Sequence, residues 1–90
     1  SVNTWMATLE QALAQIKAAE CECLIVSLGV DIFEGDPISA FTFTSADFTL
    51  LGERLAQTGL PSVFLMEGGY AVDEIGVNVV NVLQGFKQAL

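Results

Sequence analysis

Ninety residues allow at most one small domain. A hydrophobic share of 52% with only 16% charged residues is too apolar for a free-standing domain of that size, which exposes much of its surface. The net charge of −8, with Lys17, Arg54 and Lys87 as the only cations, argues against nucleic acid and anionic membrane as partners; cationic substrates such as polyamines or lysine side chains are compatible with it. The composition reads as the buried part of something larger, a fragment or one half of an assembly. Ser1 in place of an initiator Met, and the apolar end at Leu90, point the same way. No apolar run is long enough to span a bilayer and no signal-peptide pattern opens the chain. Cys21 and Cys23 are too close in sequence for an easy disulfide and match no common zinc spacing. They read as thiols in a reducing cytoplasm.

In chain order, Trp5, Leu9, Ala12, Leu13 and Ile16 make one apolar stripe, which predicts a helix over residues 3–19. Asn3 or Thr4 is its expected cap, with Glu10 and Gln11 on the wet side. The continuous run Cys23-Leu-Ile-Val-Ser-Leu28 predicts a strand over about 23–29, buried on both faces and therefore flanked by helices on either side. The loop 30–43 that follows is long for a connection of this kind, where about 2–6 residues are usual. Outsized loops are more often functional than decorative. Thr44-Ser-Ala-Asp47 then resembles a capping box, with Asp47 in place of the commoner Glu or Gln. Phe48, Leu51 and Leu55 form the buried stripe of that helix, and Gly59 is its expected stop. Leu60-Pro61 leads into a second strand over about 62–66. Asp73 and Glu74 favour the positive end of a last helix, about 73–88, with Ile75, Val79, Val82, Leu83 and Phe86 turned inward.

The order is thus α-β-α-β-α, an α/β segment whose strands are parallel and joined by a right-handed crossover. Two parallel strands cannot protect their own edges. Further strands from a missing N-terminal portion, or a second copy of the chain, are expected to cover them.

Two loops follow the strands, and open α/β sheets place their chemistry at the strands' carboxyl ends. In the first, Asp31, Glu34 and Asp36 are close enough to suggest a metal, yet the same residues among Gly and Pro are ordinary turn formers. Asp31, aimed by the strand before it, is the better candidate; Asp36, just before Pro37, is expected to hold the loop by bonding backbone amides. In the second loop, Gly68 and Gly69 let the backbone turn sharply or approach a ligand. Tyr70 would then be thrown toward Asp31, where a phenol can donate a hydrogen bond to a developing oxyanion. A plain turn with a tyrosine packed on a helix end is the alternative. Phosphate binding by these glycines would lack both the G-x-G-x-x-G spacing and a nearby cation.

Ser27-Leu-Gly-Val-Asp-Ile-Phe-Glu-Gly-Asp-Pro-Ile-Ser39, Phe41-Thr-Phe-Thr44 and Met66-Glu-Gly-Gly-Tyr70 together resemble the C-terminal part of the histone deacetylase superfamily. The nearest branch is that of the bacterial acetylpolyamine amidohydrolases and similar deacetylase-like amidohydrolases, and the likeness runs over essentially the whole chain. The resemblance implies an arginase-like, three-layer αβα fold with a central parallel sheet. It implies a catalytic zinc held by two aspartates and a histidine, with water in an open position. Asp31 matches the second aspartate ligand, and Tyr70 matches the tyrosine that polarises the scissile carbonyl and stabilises the oxyanion. Gly68 and Gly69 match the glycines that let the tyrosine loop face the zinc, and Pro37 and Ile38 match residues of the substrate tunnel. The polyamine-selective eukaryotic branch carries a glutamate where this chain has Ile38, so selectivity by that device is not implied.

The chain contains no histidine. The family's Asp-x-His zinc pair and its tandem histidine acid/base residues have no counterpart in it, so neither tight zinc binding nor activation of water is expected of these residues alone. Two readings follow. The chain is the C-terminal segment of a zinc-dependent deacetylase acting on N-acetylated amines, acetylpolyamines or acetyl-lysine; alternatively it is a non-catalytic oligomeric or binding module derived from that fold. A flavodoxin-like nucleotide binder would need a phosphate loop that is not found.

Overall fold

The computed structural model describes residues 1–38 and 40–90; Ser39, the last residue of the acidic-loop motif, lies outside the described residues. Five elements follow in the expected order: α1 (Val2–Ala18), β1 (Leu24–Leu28), α2 (Ser45–Ala56), β2 (Ser62–Met66) and α3 (Ile75–Gln88). Strands β1 and β2 pair in parallel, in register from Leu24 opposite Ser62 to Leu28 opposite Met66.

Local chemistry sets the element ends. Ser1 caps α1, its hydroxyl accepting from the Thr4 amide at 3.2 Å, so the cap falls ahead of the expected Asn3 or Thr4. The capping box of α2 is complete: the Asp47 amide donates to Thr44 Oγ1 at 3.3 Å and the Thr44 amide to Asp47 Oδ2 at 2.8 Å. Gly59 takes a φ of 71° just past the helix, the left-handed conformation that lets the chain leave for β2. Helix α3 starts at Ile75 with Glu74 at the N-cap position.

The core gathers Leu13 of α1, Leu24 and Leu28 of β1, Phe43, the α2 stripe Phe48, Leu51 and Leu55, and Val82 of α3. Trp5 meets Phe43 edge-on at 4.9 Å and Phe64 meets Phe86 edge-on at 5.3 Å, fastening α1 and α3 to the rest. Arg54 of α2 donates through Nε and Nη2, one edge of its guanidinium, to the two carboxylate oxygens of Glu10 in α1.

Burial corrects two expectations. The strands are covered on one face only: Ile25 is 67% exposed, and its partner Val63 and the next residue on that face, Leu65, are exposed as well. A strand without polar alternation reads as buried twice over, but none of the helices α1 to α3 supplies the second cover. Leu83 of α3, placed inward by the stripe, is also exposed. Helices α2 and α3 instead touch at closer range than their apolar stripes require. A Cβ at Gly52 would run into the Val82 carbonyl oxygen, and one at Gly85 into the Thr49 carbonyl oxygen. The two helices meet backbone to backbone through reciprocal glycines.

Candidate functional site

Both loops leave the carboxyl ends of the paired strands, so the ladder itself sets them side by side. The Glu67 amide donates to the Leu28 carbonyl at 2.9 Å and the Val30 amide to the Gly68 carbonyl at 3.1 Å, which extends the pairing past the strands. Asp31 follows directly, its carboxylate lodged between two glycine α-carbons. A Cβ on Gly29 would stand 2.7 Å from Asp31 Oδ1, and one on Gly68 would stand 2.5 Å from Oδ2. The two glycines of the second loop thus do different work. Gly68 permits the close approach to Asp31; Gly69 makes the turn, at φ 148°, where a side chain would strike Val30 and Ile75.

The long loop is closed on itself. Phe33 and Phe43 form a parallel bridge, with the Phe43 amide donating to the Ile32 carbonyl at 3.1 Å and the Glu34 amide to the Phe43 carbonyl at 2.7 Å. Asp31 opens onto a cavity of about 280 Å³ lined also by Ile32, Ile38, Ala40 and Phe41. Of the expected tunnel residues, Ile38 borders the same cavity as Asp31 although it is 72% exposed, and Pro37 is exposed at the loop surface. Tyr70 does not line that cavity, and the residue is 50% exposed. What abuts Asp31 is the Gly68 backbone, two residues before the tyrosine.

The acidic residues of the loop divide by what they bond. Asp36 is only 5% exposed. Its Oδ1 accepts from the Ile38 amide at 3.0 Å and its Oδ2 from the Tyr70 amide at 2.8 Å. The expected loop-holding role is present, and it reaches further than the loop itself. No local sequence signal could have paired Asp36 with an amide 34 positions away. The Asp31 carboxylate, by contrast, makes no hydrogen bond or ion pair among the described residues. Glu34 is exposed, and among the described residues no three His, Cys, Asp or Glu side chains converge on a possible metal position. Among the described residues the Asp31 carboxylate thus stands without a second converging donor pair, and one carboxylate does not by itself fit a zinc ion.

Electrostatic pairing is found between α1 and α2. The Arg54 hydrogen bonds hold the Glu10 carboxyl below its usual range, and the same contact raises the Arg54 guanidinium. No helix among the described residues is long and apolar enough to cross a membrane.

Comparison with known proteins bears directly on these two loops. The histone deacetylase domain model matches residues 1–86. Acetylpolyamine amidohydrolase 2 of Pseudomonas aeruginosa is 55% identical over 84 residues, which is 93% of this chain and 24% of that protein. The acetylpolyamine amidohydrolase of Mycoplana ramosa is 49% identical over 83 residues, 92% of this chain and 24% of that protein. The crystal structure of an acetylpolyamine aminohydrolase from Burkholderia pseudomallei superposes with a TM-score of 0.94 at 28% identity, covering 99% of this chain and 26% of that one. The chain spans about a quarter of the length of the curated relatives it matches. Its elements are those of the arginase/deacetylase α/β fold. With a family model running through both loops and relatives about half identical along nearly its whole length, the chain belongs to the histone deacetylase domain family.

Proposed function

We propose that this segment serves a zinc-dependent amide hydrolase that removes acetyl groups from acetylated amines, acetylpolyamines or acetyl-lysine, with Asp31 as one metal ligand and Tyr70 as the oxyanion donor. The observation that carries the reading is the Asp31 carboxylate, free of partners among the described residues, lodged at the joined ends of β1 and β2 beside the Gly68-Gly69-Tyr70 turn. Asp31 would contribute to holding a zinc ion, which would supply Lewis-acid polarisation of the amide carbonyl and a more acidic water. The chain's own part is to offer one carboxylate to that ion and a phenol to the developing negative charge. Pro37 and Ile38 shape the approach, and the apolar Ile38 wall suits the methylene stem of an amine rather than its charge. With no histidine in the chain and no three converging donors among the described residues, these ninety residues on this reading neither hold zinc firmly nor activate water by themselves.

The test is a segment exchange. The matching quarter of the Pseudomonas aeruginosa relative is replaced by this chain, and acetate release from an acetylpolyamine is measured together with zinc content. The exchanged enzyme is expected to turn over. Tyr70→Phe is expected to lower kcat by about 10²- to 10³-fold with zinc retained, and Asp31→Asn to lose zinc. Full activity in both variants would end this assignment.

A second reading rests on the uncovered sheet face with Ile25, Val63 and Leu65. On that reading the chain by itself is a non-catalytic module, and that face and the strand edges are covered by another copy. A folded dimer or larger assembly without stoichiometric zinc supports it; a monomer that aggregates on release supports the first.

A further inference from the structure

The placement of Tyr70 is not explained by its own surroundings. The residue is half exposed, so packing does not hold it. Two glycines precede it, and glycine backbones lend the least stiffness of any. Yet its amide is fixed, by Asp36 Oδ2 at 2.8 Å. The other oxygen of the same carboxylate accepts from Ile38, which lines the cavity shared with Asp31.

Asp36 is itself rigidly set. It is nearly fully buried, its amide donates to the Phe33 carbonyl at 3.1 Å, and Phe33 stands in the bridge that closes the loop. Burying a carboxylate is costly unless donors are aimed at it. Here both oxygens are met by backbone N–H groups from different loops. A neutral amide side chain cannot replace it, because its NH₂ would face one of those N–H groups donor to donor.

We propose that Asp36 is a positioning residue for Tyr70: one carboxylate ties the cavity wall at Ile38 to the tyrosine loop and so fixes where the phenol meets the developing oxyanion. The proposal deepens the functional assignment above and rests on it for the role of the phenol. It makes the geometry of Tyr70 depend on a group that touches neither substrate nor metal.

The exchanged enzyme with Asp36→Asn is the test of function. The expected result is a fall in kcat of about 10- to 100-fold, with KM for the acetylpolyamine and zinc content unchanged. Adding Tyr70→Phe to Asp36→Asn is expected to cost far less than Tyr70→Phe costs alone, because both changes remove the same contribution. A residue that merely stabilised the fold would lower the folded fraction and leave the two effects additive; that outcome, or unchanged kcat, overturns the proposal. Should Asp36→Asn fail to fold, the unsubstituted protein decides. A through-hydrogen-bond scalar coupling between the Tyr70 amide nitrogen and the Asp36 carboxylate carbon, with slow exchange of that amide, is expected by NMR, and its absence overturns the proposal. An exchanged enzyme indifferent to Tyr70→Phe but showing that coupling would refute the catalytic assignment while leaving the tie between the loops in place.

Discussion

A side chain is missing for a reason at Gly68, where even a methyl group would stand 3.0 Å from the Asp31 carboxyl carbon and closer to its oxygen. Gly68→Ala is therefore expected to push Asp31 off its position and to lower zinc occupancy of the exchanged enzyme several-fold without unfolding it. Gly69→Ala meets both a left-handed φ and two side chains. It should cost about 1–3 kcal/mol of stability, read as a shifted denaturation midpoint. At this scale the sequence was informative where one residue sufficed. Asp31 could be aimed from its place after an apolar run, and Asp36 from its place before Pro37. The two roles of the glycines could not be told apart, because close approach and positive φ are properties of the folded neighbours. The bond from Tyr70 to Asp36 was equally illegible, since nothing local to either residue encodes the other.

Helices α2 and α3 put the same point in terms of propensity. Glycine inside a helix is worse than alanine by about 1 kcal/mol, so Gly→Ala ordinarily helps. At Gly52 and Gly85 the added carbon would collide with backbone of the facing helix, which cannot swing aside. Each substitution is expected to destabilise by about 1–3 kcal/mol. Gly76, in the first turn of α3 and with nothing within 4 Å of its would-be Cβ, is the control: Gly76→Ala should gain about 0.5–1 kcal/mol. Thermal melts of the three variants give the signs. The pairing of α1 with α2 has a pH signature. Glu10 is held below its usual range by the Arg54 hydrogen bonds, so its contribution is present above the unfolded carboxylate pKa and is lost as pH falls through the folded one. Glu10→Gln should therefore lose a small increment of stability near neutrality and converge with the unsubstituted chain below about pH 5, so that the acid-side loss of stability is flatter; the exposed setting keeps the effect small. The elements themselves were legible from apolar spacing and the Thr44–Asp47 cap. The strand faces were misjudged because continuous hydrophobicity states a demand for cover without saying which chain meets it.

For the molecule as a whole that demand is the dominant fact. Ile25, Val63 and Leu65 form a contiguous apolar face on a sheet of only two strands, and such faces drive association. As part of the larger enzyme, the chain is expected to aggregate when isolated, and Ile25→Lys with Leu65→Lys to reduce that aggregation; a stable folded dimer in sedimentation, dispersed by the same two changes, would instead favour the self-associating module. A different consequence lies in the Phe33–Phe43 bridge. It brings the two stems of a long connection together, one of them running straight into the α2 cap, like the two ends of a closed clasp. Lengthening a loop whose stems are already joined carries only a small entropic cost. Insertions between those stems are therefore expected to be tolerated while Asp31, Asp36 and the tyrosine loop keep their places, so this scaffold admits new loop lengths there before the sheet has to change.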